Sequence, residues 1–298
     1  MHTENTAARG FAFAISAYVL WGLTPIYMWA MAHIPAVEIV AFRGLLSVPV
    51  AGCILLWLGR TGDLKFAIRQ PGTMLVLAVT ATLISINWGI YTWAVAAGRT
   101  VETALGYYIN PIVNIVIGAV FLGERFTRPQ VVAIVLAVAA VLLLTIHMGA
   151  LPWVSLVLAV SFGIYGYLRK IVPVGPAQGF FLEVVLLTLP CLAVLAIWFP
   201  VGANHFMAGN LTDTLLLLAA GPATAIPLIL FASGARLLKY STVGLMQYVA
   251  PTIMFVIAVF LFREPFSGVQ LIAFCLIWTA LAIYSWSSLR KTAIVAQA

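Results

Sequence analysis

Charge is what this sequence has least of: only 8% of its 298 residues are Asp, Glu, Lys or Arg, against about 25% in an ordinary soluble domain. With 64% of its residues hydrophobic, a chain folding in water would lack the polar side chains to cover its surface, so a soluble globular protein is excluded. Cysteine and histidine are rare too, at three and four residues. Cys53, Cys191 and Cys275 each fall singly in an apolar run, which argues against a disulfide framework and for small buried hydrophobic side chains. His33 and His147 have no ligand company, so no metal is expected. A glycine-rich nucleotide loop and a His/Asp constellation are both missing, so neither an enzyme nor a nucleotide-driven pump is expected, and no cofactor. Short segments of alternating polarity are absent, which excludes outer-membrane strands. A small-residue cleavage site after a short apolar core is lacking as well, so the first apolar segment reads as a retained helix and not as a signal peptide.

What is present is a series of continuous apolar runs, each about 20 residues long, the length of a helix that crosses a bilayer. Windows fall near 11–31, 37–58, 73–97, 102–122, 129–148, 152–171, 178–199, 214–235, 241–262 and 267–288. Basic residues orient them. With the N-terminus in the cytoplasm, twelve Lys and Arg fall in inside segments and two, Arg99 and Arg263, outside, while Arg43 lies within a span. That asymmetry predicts an inner-membrane protein with both termini cytoplasmic. The net charge of +7 is then accounted for by topology, and no nucleic-acid partner is implied; the partners expected are the lipid bilayer and a small-molecule solute. Loops are too short for a domain outside the membrane.

An internal match organises the chain. Tyr108-Ile109-Asn110-Pro111 and Phe121-Leu122-Gly123-Glu124-Arg125-Phe126 return as Tyr248-Val249-Ala250-Pro251 and Leu261-Phe262-Arg263-Glu264-Pro265-Phe266, offset by 140 residues with the same 13-residue interval from proline to glutamate. Gln130 and Gln270 open the next apolar run in each copy. A displacement of five helices turns the second copy upside down, a construction common in secondary transporters. The expected fold is therefore an all-α polytopic membrane protein of ten transmembrane helices, built as two inverted five-helix repeats, residues 1–148 and 149–298.

Polar residues inside spans are expensive and mark either a cavity or a structural contact. Arg43 stands in the second span, and Glu183 at the equivalent position of the seventh. They pair across a cavity, meet opposite ends of a zwitterionic solute, or, for Arg43, reach back to the interface. Asn87 and Tyr91 share a face of the third span, as cavity lining or as glue between helices. Tyr107, Asn110 and Asn114 surround Pro111 in the fourth span, and Gln247, Tyr248 and Pro251 echo them in the ninth, as binding and hinge elements or as packing. Tyr18 and Trp21 suggest an aromatic wall beside a flexible point at Gly22 and Pro25. The Gly123-Glu124-Arg125 turn caps and orients helices, or gates the inner mouth with a salt bridge.

The run Leu105-Gly106-Tyr107-Tyr108-Ile109-Asn110-Pro111, with Asn114 and Phe121-Leu122-Gly123-Glu124-Arg125-Phe126, resembles the RarD branch of the EamA transporters, within the drug/metabolite transporter superfamily. The likeness extends through Tyr18, Trp21 and Gly22, the Glu38 and Arg43 segment, Asn87-Trp88, and Gln247-Tyr248-Pro251, and so covers nearly the whole chain. The resemblance implies a ten-helix inner-membrane carrier with inverted five-helix repeats, cytoplasmic termini, and export. RarD-like proteins carry a name linked to chloramphenicol sensitivity, while relatives in the superfamily move amino acids, metabolites or nucleotide-sugars. Arg263-Glu264-Pro265 departs from Gly123-Glu124-Arg125, so a role of the first turn does not carry to the second. Two functions follow as expectations. One is a secondary exporter of a small polar or zwitterionic metabolite working by alternating access; the other is a chloramphenicol or multidrug exporter with a broad aromatic cavity. A membrane enzyme or scaffold finds no support in the residues. The oligomeric state is open, a monomer being sufficient in principle.

Overall fold

The computed structural model describes residues 2–97, 100–149, 153–200, 204–263 and 267–297; Arg99 and the Glu264-Pro265-Phe266 copy of the repeat lie outside them. The helices are α1 (His2–Gly22), α2 (Thr24–Ala30), α3 (Ala36–Trp57), α4 (Gly62–Ile68), α5 (Pro71–Ala96), α6 (Thr100–Leu122) and α7 (Arg128–Met148). They continue as α8 (Trp153–Ile171), α9 (Pro176–Trp198), α10 (Leu211–Leu237), α11 (Tyr240–Met246), α12 (Val249–Val256) with a π-helical turn at Ile257–Leu261, and α13 (Gly268–Gln297).

Ten spans long and apolar enough to cross a membrane occur among the described residues, each within a few residues of its sequence window. The first span is α1 with α2, the ninth is α11, α12 and the π turn, and α4 is a short helix between the second and third. Since the chain reverses at each connection, ten spans return the C-terminus to the face of the N-terminus. That face is called the terminal face below, and its opposite the distal face.

Local chemistry starts these helices where it should. The backbone N–H of Thr127 donates to Gln130 Oε1 at 2.9 Å, and that of Ser267 to Gln270 Oε1 at 2.8 Å. These are capping boxes, placed 140 residues apart at the head of α7 and α13. Asn210 Oδ1 accepts from Thr212 N at 2.9 Å to start α10. Large apolar side chains such as Leu189, Ile146 and Phe260 point outward from the bundle. In water such a surface aggregates; in a bilayer it is the solvated one. Cys53 and Cys275 are on this outer surface too, which corrects the expectation that all three cysteines are buried. A thiol behaves as a small hydrophobe and is as much at home against lipid as in a core.

Proline and glycine act unequally. The first span breaks at Leu23, between Gly22 and Pro25, and a Cβ on Gly22 would stand 2.7 Å from the Cβ of Ile253, so this glycine also lets α1 approach α12 closely. The ninth span breaks at Gln247–Tyr248, just ahead of Pro251, where Tyr248 N and Ala250 N bond three residues back to Leu245 O and Gln247 O. Around Pro111, by contrast, α6 runs on unbroken. One missing backbone bond is tolerated where neighbouring helices hold the chain on course, and α6 is held by extensive packing on α8 and α11.

The helices pack in a defined set of pairs: α7 with α13, α3 with α9, α6 with α8 and α11, α1 with α10 and α12, α5 with α8 and α9, and α3 with α10. Ala133, Ala137 and Ala140 of α7 share one such seam with Ala273, Ile277 and Ala280 of α13, where the alanines let backbones come close in a membrane.

Candidate functional site: a cavity with one charge

A cavity of about 610 Å³ lies between the middle and the distal ends of seven spans, a size in the usual range for small-molecule sites. The first span contributes Trp21, Pro25, Tyr27 and Met28, α3 contributes Arg43, and α5 contributes Asn87, Trp88 and Tyr91. From α6 come Thr103, Tyr107 and Asn110, from α8 Leu158 and Phe162, from α10 Thr224 and Leu228. Gln247, at the break in the ninth span, completes the wall with Ala250 and Met254. Among the described residues that line it, Arg43 is the one that carries a charge, and none is a carboxylate.

Arg43 stands seven residues inside α3 from Ala36, about 10 Å along the axis. Its Nε donates to Thr224 Oγ1 at 3.0 Å, and its guanidinium carbon lies 4.9 Å from the ring centre of Trp88. Tyr27, Tyr91 and Tyr107 are its other close polar neighbours. No carboxylate among the described side chains lies within ion-pair distance of it. A cation–π contact contributes about 0.5–2 kcal/mol and a hydrogen bond to a charged group about 1.5–3 kcal/mol. Taking an ion out of water costs several kcal/mol.

Amides complete the polar wall. Asn87 Nδ2 donates to Leu158 O and to Ser161 Oγ, both at 2.9 Å, so it ties α5 to α8 and lines the cavity at once. Gln247 Oε1 accepts from Asn114 Nδ2 at 3.1 Å. Asn110, only 4% exposed, leaves its Oδ1 without a hydrogen-bond partner. Buried polar atoms in native folds nearly always have partners; Asn114 Oδ1, one turn further along α6, lacks one as well. Opposite the polar wall are apolar groups: Trp21 and Phe162 meet edge to face at 5.7 Å, backed by Phe231.

Sequence expectation and geometry part company at four residues. Tyr18 is fully buried behind Trp21 and donates its hydroxyl to Val243 O at 2.8 Å. Asn114 is fully buried against Gln247, and Tyr248 spends its hydroxyl on Tyr108 O at 3.1 Å. None of these three lines the cavity. Glu183 does not line it either, and the anticipated Arg43–Glu183 pair does not form. Glu183 instead faces Arg169, Nε to Oε1 3.5 Å, with Thr80 donating to the same oxygen at 2.5 Å and Tyr165 to the other at 3.3 Å. The reason is depth: Arg43 is seven residues from the distal end of α3, Glu183 seven from the terminal end of α9. Across helices of 22 and 23 residues that leaves about 12 Å between them along the bundle.

Tyr27, Thr103, Thr224 and Met254 were not singled out from the sequence. Thr224, between Pro222 and Pro227 in α10, carried a usable signal: a hydroxyl within a proline-punctuated apolar run. Arg169 closes an apolar run and is one of the twelve basic residues of the inside segments, yet it is buried.

Below the cavity the terminal face is tied shut. Glu124 Oε1 accepts the backbone N–H of Tyr240 at 2.5 Å, and Oε2 accepts that of Ser241 at 3.1 Å as well as its hydroxyl. The turn thus caps α11 from the other end of the chain, without the salt bridge considered for it. Lys170 Nζ donates to Ala235 O and Leu238 O at 2.6 and 2.5 Å, Arg236 donates to Val174 O, and Tyr240 OH to Gly163 O at 2.6 Å. The distal face has its own ties: His205 and its backbone N–H on Glu38, and His33 on Asp213.

Comparison with known proteins agrees in scale and pattern. A model of the EamA-like transporter family matches residues 8–146. The chain is 41% identical over 295 residues to an uncharacterized transporter of Pseudomonas aeruginosa, covering 98% of each protein. It is 40% identical over 290 residues to the protein RarD of Streptomyces exfoliatus, covering 97% of this chain and 92% of that one. A solved crystal structure, 20% identical, superposes with a TM-score of 0.72 over 97% of this chain and 99% of the other, a likeness of fold.

Proposed function

The chain belongs to the RarD-like branch of the EamA transporters, in the drug/metabolite transporter superfamily, and from that premise we propose that it exports a small polar or zwitterionic metabolite across the inner membrane by alternating access. Arg43 carries the proposal: a cation without a carboxylate partner among the described side chains, in a cavity between the middle and the distal ends of the spans, above a terminal face held closed. Twelve basic residues in terminal-face segments against two in distal ones support cytoplasmic termini. On that orientation the conformation is outward-facing.

The division into repeats 1–148 and 149–298 is supported by the packing pairs. When each span is renumbered by five, the first–eighth contact becomes sixth–third, fourth–sixth becomes ninth–first, and second–eighth becomes seventh–third. Second–seventh, fourth–ninth and fifth–tenth map onto themselves, and all are contacts in the fold. Tyr108 and Tyr248, equivalent residues, touch, as expected beside a pseudo-two-fold axis. Two such copies exchanging conformations turn an outward cavity into an inward one. The cavity is complete within one chain, which supports a working monomer. Glu183, bound to Arg169, Thr80 and Tyr165 away from the cavity, offers no exposed proton carrier in this state.

The test is uptake and counterflow of a labelled metabolite panel, with chloramphenicol included, in proteoliposomes containing the wild type or Arg43→Ala. Saturable movement of one solute, lost in R43A, is expected. Movement of chloramphenicol alone, surviving R43A, replaces this reading with drug export, and dependence on a pH gradient would overturn the uncoupled version.

A further inference from the structure

The chemistry of the cavity wall narrows the solute further, resting on the transporter reading above. We infer that the site selects a monoanionic amphipathic acid: one carboxylate for Arg43, one N–H or O–H donor for Asn110 Oδ1, an apolar body between the aromatic walls, and no requirement for a positive charge.

The charge count comes first. Among the described residues that line the cavity there is one guanidinium and no acid. The carboxylates that elsewhere in the spans meet a cation or imidazole are already engaged, Glu38 with His205, Asp213 with His33 and Glu183 with Arg169. A ligand ammonium therefore has no counter-ion here, and a second carboxylate has no second cation. One negative charge is what the wall complements. Geometry comes next. Thr224 occupies Nε and Trp88 lies beside the guanidinium carbon, which holds the guanidinium while the Nη1/Nη2 edge has no described partner. A planar carboxylate fits such an edge with two parallel hydrogen bonds. The third observation is independent of charge: Asn110 belongs to the same wall, and its side-chain oxygen is buried without a hydrogen-bond partner. An acceptor calls for a donor, so a simple fatty or aryl acid leaves it empty, whereas a hydroxy or amino acid fills it. Trp21, Phe162, Leu158 and Met254 supply the surface for the body.

Binding is measured on the purified full-length protein in nanodiscs, by thermal shift and tryptophan fluorescence, with a matched series. The probes are 3-phenyllactate, phenylalanine, 3-phenylpropionate, phenylalaninamide and phenylsuccinate, together with 2-hydroxyoctanoate and its amide as an aliphatic pair. Expected are binding of phenyllactate at least as tight as that of phenylalanine, a loss of about tenfold for phenylpropionate, and none for the amides or the diacid at comparable concentration. Arg43→Gln should abolish the preference for acid over amide. Asn110→Leu should erase the difference between phenyllactate and phenylpropionate while keeping the acid preference, so the inference stays testable if R43Q does not fold. Equal or tighter binding of the amides, acid affinity unchanged in R43Q, or no response to any acid at millimolar concentration overturns it. Counterflow separates the two readings. Acids that bind but never exchange would sink the transport proposal and leave the site, whereas exchange of a neutral or cationic solute without acid binding does the reverse.

Discussion

Arg43 and Arg169 are both arginines within spans, and their surroundings assign them opposite consequences. Arg169 and Glu183 are each 1% exposed, and Arg169 Nη2 also donates to Pro176 O at 2.6 Å. Removing one member of a buried pair strands the other, at a cost of about 3–5 kcal/mol. Glu183→Gln is therefore expected to lower the unfolding midpoint markedly and leave ligand affinity intact, whereas R43Q abolishes ligand affinity and leaves the midpoint near that of the wild type; thermal unfolding and binding titration on the same samples test the contrast. Gly179 gives a second handle, since a Cβ there would stand 1.9 Å from Arg169 Nη1. Gly179→Ala must push the guanidinium off its site and should reproduce the stability loss of Glu183→Gln without any charge change. Much of the site was legible at this scale because a polar side chain in an apolar run is conspicuous: Arg43, Asn87, Tyr91, Tyr107, Asn110 and Gln247 were found so, and all line the cavity. The partner of Glu183 was not legible, since sequence equivalence in an inverted repeat says nothing of adjacency.

At the scale of elements, the breaks in the first and ninth spans flank the cavity, at Leu23 and Gln247–Tyr248. Pro251 lacks the N–H that would bond Gln247 O in a continuous helix. Pro251→Ala restores that donor and stiffens the junction; turnover in counterflow is expected to fall severalfold with KM unchanged, and an unchanged rate would demote the break to a static feature. The Glu124 clasp belongs here too. It holds α11 by three donors, each hydrogen bond to a charged acceptor contributing about 1.5–3 kcal/mol. Glu124→Ala should shift the population toward a terminal-open state. With the native cysteines replaced, an Ala250→Cys reporter should then react faster with an impermeant thiol reagent applied from the cytoplasmic side; labelling confined to the outside in both proteins would exclude the clasp as a gate. Element boundaries were readable because apolar run length and cap chemistry are local. The Thr127–Gln130 and Ser267–Gln270 boxes were noticed only as recurring glutamines, though Ser or Thr three residues before Gln is a helix-start signal in its own right.

For the whole molecule, the topology makes a direct prediction. A C-terminal fluorescent fusion should mature in the cytoplasm, and a cysteine at Asn204, in the connection between α9 and α10, should be labelled from outside in intact cells; the opposite pattern would invert the proposed direction of the cavity. What the sequence alone determined was the solvent, the helical class, the ten spans and the 140-residue repeat. Each of these depends on local quantities: run length against bilayer thickness, and identity at a fixed offset. Tertiary structure alone decided which polar groups face the cavity and which are consumed inside the bundle. Most of these spans are apolar on nearly every side, so no polar stripe in the sequence marks an inner face. The rotation and depth of each helix come instead from how its neighbours fit, and that fit separates Arg43, open to a ligand, from Arg169, locked onto Glu183.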